Sequence, residues 1–425
     1  MEIRSKSEAK KKKSPKKNKK NPIFKSSIVT LLSTQIKSLD SITKIKKKIY
    51  KFKSPSLFSL IENPSSVFQQ IYLLALSIRK QAIKIIDFDH QNVKKNDLAA
   101  ESVLGWILSD IKKEYLRKKK NLRIRGTYPE SKDLKRYIRS VGIIKYFEIK
   151  HEYLSLDEEA LIQKFEMGNL SYHENEQLGS LPYRDRVVKG FVDYINNCLE
   201  SHSRRLTISG RQSLGEYTGE VIDNIIQHSK MNNWKIVGYL DNTKEPYRCD
   251  IAIINFGKTF YETFKNLDEN NYAFKEQIAD VLSAHKAKKL FKKNKWTEEN
   301  LITLLAIQQG ISSKNIEKES TRGVGTYRLI KFFEDMHNEY NGDYSDNAKM
   351  AIISGKTHIL FDGTYELKQN KDGFFNIAFN NTNDLYKKPN SEFVKNIDFN
   401  FPGTIISIQF KITETYTQEI TEDGL

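Results

Sequence analysis

Four polar side chains, Glu216, Glu220, Asn224 and His228, recur at intervals of four within LGEYTGEVIDNIIQHSKM, residues 214–231. At about 100° per residue each step drifts only about 40°, so on a helix the four share one face. Leu214, Tyr217, Val221, Ile222, Ile225 and Ile226 form an apolar stripe on the other side, and that stripe predicts the helix. A carboxylate one turn ahead of a carboxamide suits chemistry on a magnesium–nucleotide complex. The Asn224 amide oxygen is the hard donor that Mg²⁺ takes while keeping its waters. The Glu220 carboxylate can orient and deprotonate a nucleophile aimed at a γ-phosphate. The same spacing describes an ordinary solvated helix face, and Glu216 is the plainer case of that.

The setting comes from the elements downstream. Residues 249–254 (CDIAII) form an apolar strand that runs into Asn255-Phe256-Gly257-Lys258-Thr259. Thr321-Arg322-Gly323-Val324-Gly325-Thr326 then precedes a helical stretch, Tyr327–Met336. Phe401-Pro402-Gly403-Thr404 leads into a strand over Ile405–Ile412. In this order, Glu220-Val-Ile-Asp-Asn224-Ile-Ile-Gln-His228 resembles the E-x-x-x-N-x-x-x-H box of the GHKL (gyrase, Hsp90, histidine kinase, MutL) ATPase superfamily. The resemblance covers about 200 residues, from Leu206 to Ile412.

That resemblance implies ATP and Mg²⁺ as cofactors, Glu220 as the catalytic base and Asn224 as the metal ligand. It implies nucleotide contacts from Asn224, His228, Asn255, Gly257, Arg322, Gly323, Gly325, Thr326 and Thr404. Gly323 and Gly325 let backbone approach phosphate oxygens, and the helix after them aims its amides at the anion. Thr404 would donate its hydroxyl near the phosphates or the adenine side. Lys314 and Arg322 are candidates for γ-phosphate contact. The insert between the glycine boxes, about 258–320, is a long lid with a helical run over 276–290. Three positions depart from the family. Asn255 replaces the adenine-reading aspartate and can accept from the adenine amino group without charge assistance. Thr259 stands for the second glycine of that box, and Thr326 for the leucine after G-x-G.

The elements that carry these residues sit in a chain of 425 residues, enough for two or three domains. Residues 1–53 hold 18 basic and 3 acidic side chains, +15 of the net +17. They read as a Lys-rich, largely disordered arm able to meet phosphate backbones without base-specific reading. Residues 56–149 read as a small α/β domain. Its expected helices are 56–63, 67–80, 97–118 and 134–147, with strands over 82–88 (AIKIIDF) and 122–125. The order is similar to the STAS domain of anti-sigma-factor antagonists, although His90–Asp97 lacks the phospho-accepting serine of that family's turn. Residues 150–185 read as a linker, 186–412 as the ATP-binding domain and 413–425 as a tail. The expected fold class is therefore α+β: a Bergerat-type α/β sandwich, a mixed sheet covered by helices, behind a STAS-like unit and a basic arm.

Two cysteines without metal-ligand spacing point to a reduced, cytoplasmic protein. No apolar run approaches the roughly 18 residues that span a bilayer. No phosphoacceptor pattern of His, acid and Thr-Pro precedes the 214–231 helix, and 13 residues follow Ile412. Neither a sensor histidine kinase nor a gyrase, Hsp90 or mismatch-repair protein is therefore expected. The expectation is an ATP-binding regulatory protein whose nucleotide state controls a protein partner, with slow hydrolysis or protein-serine kinase activity. The alternative is a degenerate GHKL scaffold without catalysis, docked on nucleic acid by its basic arm.

Overall fold

The computed structural model describes residues 27–35, 48–143, 164–168, 183–228, 234–243, 245–265, 272–291, 296–309, 325–339, 347–371 and 373–420. Its first elements are helix α1 (Ser27–Thr34), strands β1 (Ile49–Lys53) and β2 (Leu57–Phe58) and helix α2 (Pro64–Lys80). Strands β3 (Ile85–Asp89) and β4 (Lys95–Asn96), helix α3 (Leu98–Arg117), strand β5 (Arg123–Thr127) and helix α4 (Lys132–Val141) follow. Strands β1, β3 and β5 form a parallel sheet in that order. Pro64 opens α2, where its missing amide hydrogen costs nothing. Asp97 caps α3 by accepting from the Ala100 amide at 2.8 Å.

Two expectations are corrected here. Residues 56–63 are not helical: Leu57 and Phe58 pair in parallel with Lys95 and Asn96. Asp97 holds Ser59 Oγ at 2.6 Å and the Ile61 amide at 2.9 Å, and such tertiary bonds outweigh the weak helical preference of a short stretch. Residues 1–53 are not a uniform arm. Helix α1 buries Ile28, Val29 and Leu32, and β1 buries Phe52, because a dense lysine count hides two short apolar patterns. Residues 1–26 and 36–47 lie outside the described residues.

The second half begins with strand β6 (Phe165–Gly168), helix α5 (Tyr183–Glu200), strand β7 (Arg204–Leu206) and helix α6 (Ile208–His228). Strands β8 (Trp234–Asp241) and β9 (Tyr247–Phe256) lead to helices α7 (Phe260–Lys265), α8 (Tyr272–Ala287), α9 (Glu298–Leu305) and α10 (Gly325–Glu339). Strand β10 (Lys349–Phe361), the short β11 (Lys368–Gln369) and β12 (Phe375–Asn376), the long β13 (Val394–Ile412) and β14 (Thr417–Glu419) complete it. The main sheet has five strands in the order β10-β13-β9-β8-β6 and is antiparallel throughout, not the mixed sheet expected. Its edge strand β6 falls inside the segment read as a linker.

Both faces of this sheet are covered. Ile236, Ile251, Ile253, Ile406 and Ile408 share a core with Phe191 of α5, Tyr217 of α6 and Phe333 of α10. Their strand neighbours Val237, Ala252, Ile254, Phe256 and Ile405 point the other way, into the core of the amino-terminal unit. There Phe68 stacks on Phe401 with centroids 5.6 Å apart, and Trp106 meets Phe256 edge-on at 5.1 Å. Polar ties lock the same junction. Tyr137 donates to Asp250 at 2.8 Å, Tyr72 to the Asn400 carbonyl at 2.7 Å, and Lys349 pairs with Glu62 at 2.9 Å. The fold is thus α+β, and the two units expected as separate domains share one buried interface. The run CDIAII lacks polar alternation because neither face of β9 meets water.

Candidate functional site

Helix α6 starts where the Thr207 hydroxyl accepts from the Gly210 amide at 3.1 Å. Its apolar stripe packs on α10, with Tyr217 stacked on Phe332 at 4.3 Å between centroids. The polar face divides as its chemistry requires. Glu216 is exposed and accepts from Gln212, one turn earlier, at 2.9 Å. Glu220 is only 20 % exposed and forms an ion pair with Arg328 of α10. Arg184 of α5 crosses α6 beside it, so close that a Cβ at Gly219 would lie 2.4 Å from its Nη2. Glu220 is therefore held by the Arg328 guanidinium, which the sequence did not single out, while Arg184 lies against the neighbouring Gly219. Asn224 and His228 lie on the last turns of α6, but their side chains are outside the described residues.

A second group is built by strand register. Trp234 of β8 pairs with Asn255 of β9, Asn255 with Thr404 of β13, and Thr404 with Ser354 of β10. All four lie on the side of the sheet that faces α5, α6 and α10, immediately beyond the apolar row Ile236–Ile253–Ile406–Ile352. The row turns polar at the end of the sheet where β9 leaves for Gly257. Asn255 is 4 % exposed, yet its Oδ1 has no hydrogen-bond partner among the described residues. A buried acceptor left unpaired costs about 1–3 kcal/mol. Such a cost is tolerated where a ligand donor completes the site.

The neighbours of Asn255 are fixed. Ser354 and Thr404 hydroxyl oxygens are 3.0 Å apart, and Ser354 Oγ also accepts from the Phe260 amide at 2.9 Å. This bond ties the start of α7, the first helix of the insert, to the polar row. Gly257 donates its amide to the Pro402 carbonyl at 3.2 Å. Gly403 has φ +149°, and a Cβ there would stand 1.9 Å from the Asn255 carbonyl oxygen. Only glycine lets β13 come this near to β9, and so sets Thr404 beside Asn255. Thr259 has its own duty: its hydroxyl accepts from the Glu262 amide at 3.0 Å while its amide donates to Glu262 Oε2 at 2.9 Å. This reciprocal capping pair starts α7 and explains a threonine where the resemblance calls for glycine.

Asn255, Gly257 and Thr404 are thus brought together at one end of the sheet. Gly325 and Thr326 open α10, whose next turn carries Arg328 to Glu220. Arg322, Gly323 and Lys314 lie outside the described residues. Ser354 was missed by sequence reasoning, and its only signal there was a place in the alternation of β10. Among the described residues no cluster of three or more His, Cys, Asp or Glu could hold a metal. Nor is any helix among them long and apolar enough to cross a membrane. Comparison with protein families, with curated proteins and with solved structures gives no match to this chain.

Proposed function

We propose that the second half of this chain is a GHKL-type ATP-binding domain of the Bergerat fold, and that its nucleotide state regulates a protein partner. The observation that carries the reading is the buried Oδ1 of Asn255, without a partner among the described residues, beside the hydroxyls of Thr404 and Ser354. An acceptor with hydroxyls around it suits an exocyclic amino group such as that of adenine. The order of elements supports it too: α6 with Glu220 and Asn224, then β8 and β9 ending at Asn255 and Gly257. A helical insert, α10 opened by Gly325, and β10 with β13 carrying Gly403 and Thr404 complete that order. The amino-terminal parallel sheet with its helices is the STAS-like part of the reading.

The roles follow from the chemistry of each group. Asn255 would accept from the adenine amino group, and Thr404 would donate to the same ligand. The first amides of α10, with Thr326, would face the phosphates. Asn224 would hold Mg²⁺, which when bound screens phosphate charge. Arg328 holds Glu220 in place. Taking a proton from water or an acceptor hydroxyl requires that carboxylate to be shared with, or released from, the guanidinium. Arg328 thereby becomes a positioning residue for any turnover.

Titration with a fluorescent ATP analogue, with and without Mg²⁺, tests the reading directly. Asn224→Ala should remove most Mg²⁺-dependent affinity while the far-UV spectrum stays the same. Glu220→Gln should keep binding but lower turnover by roughly 10²–10⁴-fold, the usual worth of a general base. Glu216→Gln, one turn earlier on the exposed face, should change neither. No Mg²⁺-dependent binding in the parent chain would leave the scaffold reading, in which the basic amino terminus docks on nucleic acid.

A further inference from the structure

Beside the amino-terminal sheet lies a cavity of about 670 Å³ that shares no lining residue with that row. The start of the parallel strands and the ends of α2 and α3 line it, from Ile78 to Ile85 and from Tyr115 to Arg123. Its floor is apolar: Ile78, Ile83 and Tyr115 are buried. Seven cationic side chains surround that floor, and no carboxylate lines it among the described residues.

The bland explanation for such lysines is that cations favour helix C-termini, each of which carries about −0.5 charge. It accounts for Arg79 and Lys80 at the end of α2 and for Lys118 at the end of α3. Lys118 also pairs with Glu114 at 2.9 Å, and Arg79 donates to Ser33 at 2.7 Å. Two helix ends and one carboxylate still leave an excess of about +5. Lys84 and Arg123 are not on helices at all, and Lys48 stands directly before β1. The sheet fixes them: the Lys84 amide donates to the Lys48 carbonyl at 2.8 Å, and the Arg123 amide to the Lys84 carbonyl at 2.9 Å. Lys48 sits at φ 59°, a left-handed backbone where glycine or asparagine is the low-cost residue.

From the apolar floor, the cationic rim and the volume, we infer that this cavity binds a small, multiply phosphorylated ligand. Cavities of roughly 300–1,000 Å³ are the usual size for small-molecule sites. A nucleic-acid strand is the less suitable occupant. The one aromatic ring here, Tyr115, is 7 % exposed with its hydroxyl tied to the Ile83 carbonyl, so it offers no face for base stacking. The site is independent of the ATP reading of the second half.

Inorganic tripolyphosphate is the probe, added to the full chain at low ionic strength. Calorimetry should detect its binding, and the Lys84→Gln/Lys120→Gln/Arg123→Gln triple variant should lose roughly tenfold in affinity for each cation removed. Lys48, Lys84, Lys80 and Arg123 are all exposed, as is Lys120, so these changes leave the core intact. Tripolyphosphate should also protect Lys84 and Lys120 from an amine-reactive reagent, read by mass spectrometry; this locates the ligand whatever binds elsewhere. Lys48→Gly should weaken binding severalfold while the melting temperature holds or rises. Unchanged labelling of Lys84 and Lys120, or triple-variant affinity within threefold of the parent, overturns the inference. So does a single-stranded oligonucleotide that occupies the cavity more tightly than tripolyphosphate. Loss of stability without loss of affinity in Lys48→Gly would make that lysine structural and remove the strand-end argument.

Discussion

Replacing Asn255 by leucine separates the cost of the polar row from its use. The Asn255 oxygen is buried without a partner among the described residues, a penalty of about 1–3 kcal/mol. Leucine removes the acceptor and presents apolar surface to a face whose next row inward is Ile236–Ile253–Ile406–Ile352. Against this gain stand the loss of whatever the Asn255 amide nitrogen contributes, about 1 kcal/mol, and a small overpacking cost. Asn255→Leu should therefore leave stability unchanged or raise it by up to about 2 kcal/mol. Adenine-nucleotide affinity should fall at the same time. One lost hydrogen bond plus an unpaired ligand amino group costs about 1.5–3 kcal/mol, or roughly 10- to 150-fold. Urea unfolding followed by circular dichroism gives the first quantity, and titration with an adenine and a guanine nucleotide gives the second. A variant less stable by more than 2 kcal/mol that binds nucleotide as the parent does would refute the reasoning. Asn255 would then be a structural residue with an unseen partner.

Four more outcomes follow from features of the fold. Gly403→Ala should destabilise by more than about 3 kcal/mol, because its Cβ would stand 1.9 Å from the Asn255 carbonyl on a backbone at φ +149°; thermal melting checks it. Burial lifts the Glu101 carboxyl to about 7, against the Asn96 amide that donates to it. A raised folded-state value means stability that is full below about pH 4.5 and is lost as pH rises through 7, roughly 3 kcal/mol in all; Glu101→Gln should flatten that decline in denaturation curves between pH 5 and 8. Deleting residues 1–26, which carry +9, should abolish salt-sensitive nucleic-acid binding and leave the melting temperature unchanged. Deleting 1–53 should unfold the protein, because α1 and β1 go with it.

The sequence made legible those parts whose signal is local. The four-residue spacing of Glu216, Glu220, Asn224 and His228 is a property of one helix, and α6 covers the segment through His228. On that helix Glu216 is exposed and Glu220 is shielded. What was not legible depends on register between distant strands. Ser354, Thr404 and Asn255 line up through two pairings that span about fifty and about a hundred and fifty residues, which no local pattern records. Arg328 reaches Glu220 from another helix for the same reason. One signal was present and not followed. Every position from Cys249 to Ile254 except Asp250 is apolar, and such a strand needs cover on both faces. Asp250 itself is the buried partner of Tyr137 and Arg248, so even the exception marks the junction.

That junction changes how outside proteins can address the sheet. Helices α2 and α3 are held on its outer face by the same covalent chain, so they compete for that face as a neighbour at roughly millimolar local concentration. A free protein with the same preference would have to bind far more tightly than that to displace them. The outer face is insulated. Under the proposed function, a signal between the polar row and another protein would leave by the other side, where the Ser354–Phe260 bond couples the row to the first helix of the insert.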